Sequence, residues 1–285
     1  MEFVEQQKQL EGAGVLAEYP LLVFLMDKPI EDKRIAVIGA GDLGSAIIES
    51  LYDRRHRRIT ATRKSESRLR EFSQRYSGIT ATKCNSQAAE DADVIIIGVK
   101  PKDVTAVASE ISQYTGNKLV ISIAAGVQIA ELETEITSAR IARVMTDLTV
   151  SDSVAAYSVS ERCKDEDREA IRYIFGDSAI EADEYLLDAR TAVACHEGIL
   201  SMELETVRLQ LVKEGFTDRQ AAAIIAGKLR GIANLMEKGA TGEEIFERVA
   251  GPGSYTLKMY EFLRERNYFR LLGEYFSKVI DALRR

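Results

Sequence analysis

Ile35-Ala-Val-Ile-Gly-Ala-Gly-Asp-Leu-Gly-Ser-Ala-Ile-Ile-Glu-Ser-Leu51 is the stretch on which the reading of the whole chain turns. Four apolar residues, Ile35 to Ile38, make a short buried strand. Gly39, Gly41 and Gly44 follow at G-x-G-x-x-G spacing, and Ala46, Ile47, Ile48 and Leu51 then recur as one apolar helical face. That order of strand, glycines and helix suits a dinucleotide. The glycines allow a tight turn, close approach of backbone to a pyrophosphate and close helix–strand packing. Unpaired N–H groups at the helix start point at the phosphates, so Gly39, Ala40, Gly41, Asp42, Leu43 and Gly44 are candidate cofactor contacts.

Downstream, an NAD-selective site carries Asp or Glu about 20 residues beyond the glycines, for the ribose 2′-hydroxyl. Here the strand Ile59–Thr62 runs instead into Thr62-Arg63-Lys64-Ser65. A cationic, hydroxyl-bearing loop suits a 2′-phosphate and predicts NADP(H) in preference to NAD(H); the plain alternative is that Arg63 and Lys64 cap a surface turn. The basic run Asp53-Arg-Arg-His-Arg-Arg58 lies between a helix and a strand and reads as a solvated loop rather than a nucleic-acid patch.

Alternation of strands and helices continues. Ser65–Tyr76 has helical spacing, and Asp93–Val99 is the continuous apolar run of a strand buried on both faces. Val99-Lys100-Pro101 ends it at the sheet's carboxyl edge, where open α/β sheets bind ligands. A helix near Val104–Ser112, a strand Leu119–Ile123, the turn Ala124-Ala125-Gly126, another helix and a strand Ile141–Met145 follow. Val154–Ser158 and Ser178–Glu181 read as further strands. The pattern predicts one doubly wound, parallel α/β domain over residues 31–182.

Beyond Asp183 the strand signal stops. Asp188–Glu214 lacks proline and carries apolar residues at helical spacing, enough for one helix of about 40 Å. Thr217-Asp-Arg-Gln220 and Thr241-Gly-Glu-Glu244 fit capping boxes. The helix after Thr217 is apolar around most of its circumference, which calls for neighbours beyond one small helical domain and so for a partner subunit. Gly251-Pro-Gly-Ser-Tyr-Thr256 interrupts the helices; it is either a second anion site or a helix–helix turn. Residues 183–285 are thus expected to form a helical domain, and residues 1–30 an amino-terminal extension.

Composition sets outer limits. The 285 residues are 46% apolar and 29% charged, with 38 Lys+Arg against 45 Asp+Glu and a net charge of −7. That balance disfavours a general nucleic-acid binder. Cys84, Cys163 and Cys195 share no short spacing, so neither a disulfide framework nor a metal site is expected. The amino terminus carries Glu2 and Glu5 where a secretory signal wants cations, and Leu21–Met26 is too short to span a bilayer. A cytoplasmic protein without a membrane partner is the expectation.

Taken together, these landmarks resemble the pyrroline-5-carboxylate reductase family. The resemblance runs from about Lys33 to the end of the chain. It rests on Ile38–Ile47, Val99-Lys-Pro101, Ser122–Gly126, Arg143-Val-Met145, Asp188-Ala-Arg-Thr191, Gly215 with Arg219, and Gly251–Thr256. It implies a Rossmann-type NAD(P) domain followed by an all-α domain that joins two subunits into a homodimer, or a higher homo-oligomer built from it. It also implies reduction of a small cyclic imine acid, most simply 1-pyrroline-5-carboxylate to L-proline, in proline biosynthesis.

Carried over residue by residue, Val99, Lys100, Pro101, Ala124, Ala125 and Gly126 line the nicotinamide side. Gly251, Gly253 and Ser254 hold the substrate carboxylate, and the Thr256 hydroxyl faces the imine nitrogen. The sequence departs from the family pattern at Thr146-Asp-Leu-Thr149, where Asp147 replaces a neutral amide, and at Val193-Ala-Cys-His-Glu197, which replaces S-G-S-G-P. Asp147 is therefore a candidate for stabilising an iminium or binding an ammonium group. His196 and Glu197 are candidates for a polar pocket wall, against plain packing. These departures leave open a different imine or amino-acid substrate, and a non-catalytic NADP-binding regulatory relative.

Overall fold

The computed structural model describes residues 28–284. The expected amino-terminal extension lies, for residues 1–27, outside the described residues. Eight strands form one sheet: β1 (Ile35–Ile38), β2 (Ile59–Thr62), β3 (Thr80–Thr82), β4 (Val94–Ile97), β5 (Leu119–Ser122), β6 (Arg140–Met145), β7 (Ala156–Val159) and β8 (Ile180–Glu181). Their spatial order is 3-2-1-4-5-6-7-8. All neighbours run parallel except β6 and β7, whose antiparallel pairing sets Met145 opposite Ala156.

Strand residues alternate between two cores, as a period of two requires. Ile35 and Val37 of β1, with Val94 and Ile96 of β4, enter one core. Against it pack α1 (Asp42–Asp53), α2 (Glu66–Arg75) and α6 (Asp165–Phe175). Ala36, Ile38, Ile95 and Ile97 enter the other, covered by α3 (Asn85–Asp91), α4 (Val104–Ile111) and α5 (Ile129–Glu135). Two cores around one mostly parallel sheet are the doubly wound architecture that the sequence predicts.

The basic run 53–58 departs from a simple solvated loop. Arg54 donates to the carbonyls of Tyr173 and Ile174 at the end of α6, Arg57 lies over the Tyr52 ring, and His56 is buried. Helix α6 has no counterpart among the sequence expectations. Asp167 caps it, accepting from the Lys164 N–H at 2.8 Å, and the same carboxylate pairs with Arg140 of β6.

After β8 the chain is helical: α7 (Leu187–Lys213), α8 (Asp218–Glu237), α9 (Gly242–Val249), α10 (Tyr255–Glu265) and α11 (Tyr268–Leu283). Both expected capping boxes form, at Thr217 with Gln220 and at Thr241 with Glu244. A buried ion cluster fastens this half to the sheet. Arg143 of β6 reaches Asp188 at 2.8 Å and Glu184 at 3.5 Å, and Glu184 also accepts the Ile129 N–H at 2.8 Å.

The two halves differ sharply in burial. Among the described residues beyond 183, the buried apolar ones are Leu187, Ala192 and Ala221, and α9, α10 and α11 bury none.

Candidate active site

The glycine loop is held from below. Gly39 takes φ +86°, and a Cβ there would lie 2.6 Å from Val99 Cγ1; a Cβ at Gly44 would lie 2.8 Å from the Gly39 carbonyl oxygen. Neither position accepts a side chain without displacement of the loop. Among the described residues, and its chain neighbours aside, a Cβ on Gly41 would meet nothing nearer than the Gly39 carbonyl oxygen at 4.0 Å, so this position leaves room for a ligand. No side chain caps α1, and its first amides are left for an anion. Asp42, in that first turn, has an exposed side chain.

Thr62 supports this loop rather than lining it. Its side chain is buried; its hydroxyl accepts from the Gly39 N–H at 3.1 Å and donates to Asn85 Oδ1 at 2.7 Å. Both hydroxyl functions are engaged inside the fold, so Thr62 reaches a ligand only through the loop it holds. Asn85 is the partner that the sequence reading missed, since nothing in its neighbourhood marks it.

The side chains of Arg63 and Lys64 make no hydrogen bond or ion pair among the described residues, and Lys64 and Ser65 are exposed. The Ser65 hydroxyl lies 3.0 Å from that of Ser67. Two unpaired cations beyond the carboxyl end of β2 fit a dianionic group at that edge.

At the ends of β4 and β5 stand the other predicted cofactor residues. Val99 packs beneath Gly39, while Lys100 and Pro101 are exposed at the start of a 3-10 turn. Ala124 is buried and donates its N–H to Ser122 Oγ at 3.3 Å. Ala125 and Gly126 are half-buried, with the Gly126 backbone against the Leu283 carbonyl of α11.

A cavity of about 410 Å³ opens where these strand ends meet α7. Leu43, Ile123, Ala125 and Met145 form its sheet side, and Cys195, Glu197 and Ser201 its helix side. Asp147 also lines it, but not as an open carboxylate. Arg190 Nη2 lies 2.7 Å from one of its oxygens, and the Thr149 N–H and hydroxyl donate to the other at 3.0 and 2.6 Å. Burial pushes the Asp147 carboxyl up; the hydrogen bonds from Thr149 and Arg190 outweigh it and hold the group below the ordinary Asp value. The expected role of Asp147 in binding a cation is thereby weakened, since a cation is already bound.

Glu197 faces this cavity and His196 does not line it. Successive helical residues diverge by about 100°, and the His196 ring packs against Phe276 of α11, with centroids 5.2 Å apart. The Glu197 side chain has one hydrogen bond, from the Leu148 N–H at 3.4 Å.

The segment 251–256 is not brought to the cavity within one chain. Gly251, Gly253 and Thr256 are exposed, Gly253 takes φ +79°, and the Ser254 hydroxyl caps α10 by accepting from the Leu257 N–H at 3.1 Å. A wider groove, about 720 Å³, runs along β7 and β8. It lies at the opposite end of the sheet from the glycine loop's outer neighbours, and its charges Arg168 and Glu181 pair with each other.

Comparison with known proteins places this geometry. A family model described as NADP oxidoreductase, coenzyme F420-dependent, matches residues 34–126, the part that contains the glycine loop. A pyrroline-5-carboxylate reductase of Corynebacterium melassecola is 30% identical over 255 residues, covering 85% of this chain and 93% of that protein. The enzyme of the same name from Methanosarcina acetivorans is 28% identical over 247 residues, 83% and 91% of the two chains. In fold, the chain is similar to the crystal structure of Plasmodium falciparum pyrroline carboxylate reductase with NADP bound. The TM-score is 0.78 at 19% identity, over 89% of this chain and 98% of the other. Identity and coverage along both halves, with the sheet order and glycine loop, make this chain a member of the pyrroline-5-carboxylate reductase family.

Proposed function

We propose that the protein reduces 1-pyrroline-5-carboxylate to L-proline with NADPH, as a step of proline biosynthesis. The observation that carries this reading is that Leu43, in the first turn after the glycine loop, lines a cavity together with Ile123, Met145 and residues of α7. Amides of the glycine loop and the start of α1 bind the pyrophosphate, and Arg63 and Lys64 bind the 2′-phosphate. The bound nicotinamide supplies a hydride. The imine carbon accepts it, the C=N π pair passes to nitrogen, and a protonated imine leaves as the neutral amine while the dinucleotide is oxidised. Leu43, Ile123 and Met145 would supply apolar contacts that exclude water from that transfer.

In this reading residues 31–182 are the dinucleotide domain and 183–285 the substrate and dimerisation domain. Two copies join through α7–α11, and the 251–256 loop of one offers its backbone amides and the Thr256 hydroxyl to the cavity of the other. Support comes from the apolar side chains that α8–α11 leave exposed and from the lining of the chain's own cavity, which includes none of residues 251–256. The free thiols of Cys84, Cys163 and Cys195 suit a reducing cytoplasm. No helix among the described residues is long and apolar enough to cross a membrane.

Steady-state oxidation of NADPH by the purified protein with 1-pyrroline-5-carboxylate tests the activity. Tight NADPH binding with no turnover on any cyclic imine overturns it in favour of a regulatory relative. Arg63→Ala is expected to weaken NADPH about tenfold or more and NADH little, since a charged hydrogen bond contributes about 1.5–3 kcal/mol. Equal losses on both refute the phosphate contact.

A further inference from the structure

Of the charges in the cavity wall, one is left without a counter-charge. Asp147 is neutralised by Arg190, and the remaining lining is Leu43, Ile123, Ala125, Met145 and other uncharged groups. Glu197 has no cation within ion-pair distance among the described residues; its one hydrogen bond, from the Leu148 N–H, is long at 3.4 Å. A half-buried carboxylate that shares its cavity with Leu43, Ile123 and Met145 attracts positive charge and repels negative charge. A cyclic imine acid carries both: a cationic nitrogen when protonated, and a carboxylate.

We infer that Glu197 is the residue that selects and orients the substrate. It pairs with the protonated ring nitrogen and turns the substrate's carboxylate toward the opposite mouth of the cavity. This deepens the proposed imine reduction and rests on it. The groups facing Glu197 from neighbouring elements agree with the assignment. Asp147 in the 146–149 loop is already paired, His196 on the same helix turns to Phe276, and Cys195 and Ser201 bring no cation to the cavity lining. Holding the iminium form also readies its carbon for hydride, which neutralises the nitrogen, so no proton need move during the transfer.

Binding tests the assignment without turnover. In the NADP⁺-loaded protein, L-proline carries a ring ammonium where tetrahydrofuran-2-carboxylate carries an ether oxygen; size and carboxylate are otherwise alike. Calorimetry is expected to show proline favoured by about ten- to a hundredfold, the range for a desolvated charged pair. That preference is expected to collapse in Glu197→Gln and to survive in part in Glu197→Asp. Unchanged preference in a Glu197→Gln protein that melts as the parent does overturns the inference. The pH profile adds a readout that a packing role does not move. The alkaline limb of kcat, where the bound imine loses its proton, is expected to fall by about one unit or more in Glu197→Gln; an unmoved limb counts against it. If the parent binds both ligands but reduces no imine, the proposed activity fails while the charge preference still stands or falls by itself.

Discussion

The sheet half and the helical half solve the burial problem in different ways. Residues 35–175 close two cores on the two faces of one sheet, and β1, β4, β5 and β6 are buried along their whole length. Past residue 183 the same apolar composition ends on the outside: Ile224, Met236, Met259, Phe262 and Tyr275 are all exposed. Apolar burial contributes about 25 cal/mol per Å², so five helices that bury few side chains fully lean on caps, on the Arg143 cluster at one end and on ring contacts such as His196–Phe276 and Phe246–Tyr260. In the proposed homodimer a second copy covers that exposed surface. The first half is thus buried within one chain, and in the proposed dimer the second supplies half of a shared core.

The largest effect is expected from breaking that division. Ile224→Asp places a charge on the uncovered face of α8, where a single folded chain tolerates it. Light scattering should then report a monomer, and turnover should fall by roughly a hundredfold or more, as when a central interface residue is lost. NADPH affinity, which the proposal seats in the sheet half, should change less than about threefold, the scale of a surface change near 0.5 kcal/mol. A monomer with full activity would break the comparison, because one chain would then suffice for catalysis.

A smaller effect lies where the halves touch. Arg190 on α7 holds Asp147 after β6, and it also donates to the Val154 carbonyl at 2.9 Å. Both side chains are about one-seventh exposed, 15% and 14%. Arg190→Leu strands the carboxylate and is expected to cost about 3 kcal/mol, a figure at the lower end for a broken buried pair because some water reaches it. Adding Asp147→Asn should restore most of the loss. The pH dependence has a fixed sign. The Asp147 carboxyl titrates below its unfolded value near 3.8. The pair's contribution is therefore complete above that value and disappears as the pH falls through the folded one. Arg190→Leu should flatten this acid limb of the melting profile. An undiminished limb would mean that the Thr149 donors, rather than Arg190, hold the Asp147 carboxyl down.

Much of the sheet half was legible in the sequence, because its strands are continuous apolar runs and its loop depends on glycines at fixed spacing. The misses share a cause. Strand β3 is Thr80-Ala-Thr82 at the sheet's edge, half-exposed and without an apolar run. Helix α6 opens on Asp165-Glu-Asp-Arg-Glu169, and its apolar face spans only two turns. In the site, the glycine loop and the cationic turn after β2 stand where expected. Thr62 proved to be a support, because its hydroxyl direction follows from the pairing of β1 with β2, which no local signal shows. The Asp147–Arg190 pair joins residues 43 positions apart, and a change from a neutral amide at 147 gives no hint of a counter-ion that distant. Which of His196 and Glu197 meets the cavity depends on the rotation of α7 against β6, fixed by Arg143 and Asp188.

The smallest effect sharpens the contrast between local and global determinants. Helix α9 buries no residue, so its start is set by the Thr241 box: the Glu244 N–H donates to Thr241 Oγ1 at 3.2 Å, and the Thr241 N–H donates to Glu244 Oε2 at 2.8 Å. Thr241→Ala is expected to cost about 1 kcal/mol, the usual loss for a cap. It should appear as faster hydrogen exchange confined to residues 241–249. Ile96→Ala in β4 removes a fully buried side chain from the larger core and should cost about 2–5 kcal/mol, felt at every slow-exchanging amide of the sheet. Dimerisation gives the sharper reading. Once the helical faces are covered by a second copy, α9 gains packing that the cap no longer has to replace, and the Thr241→Ala penalty should shrink as protein concentration rises. A penalty that is the same in dilute and concentrated protein would mean that α9 stays outside the interface, and that the uncovered face of the helical half is narrower than its exposed side chains imply.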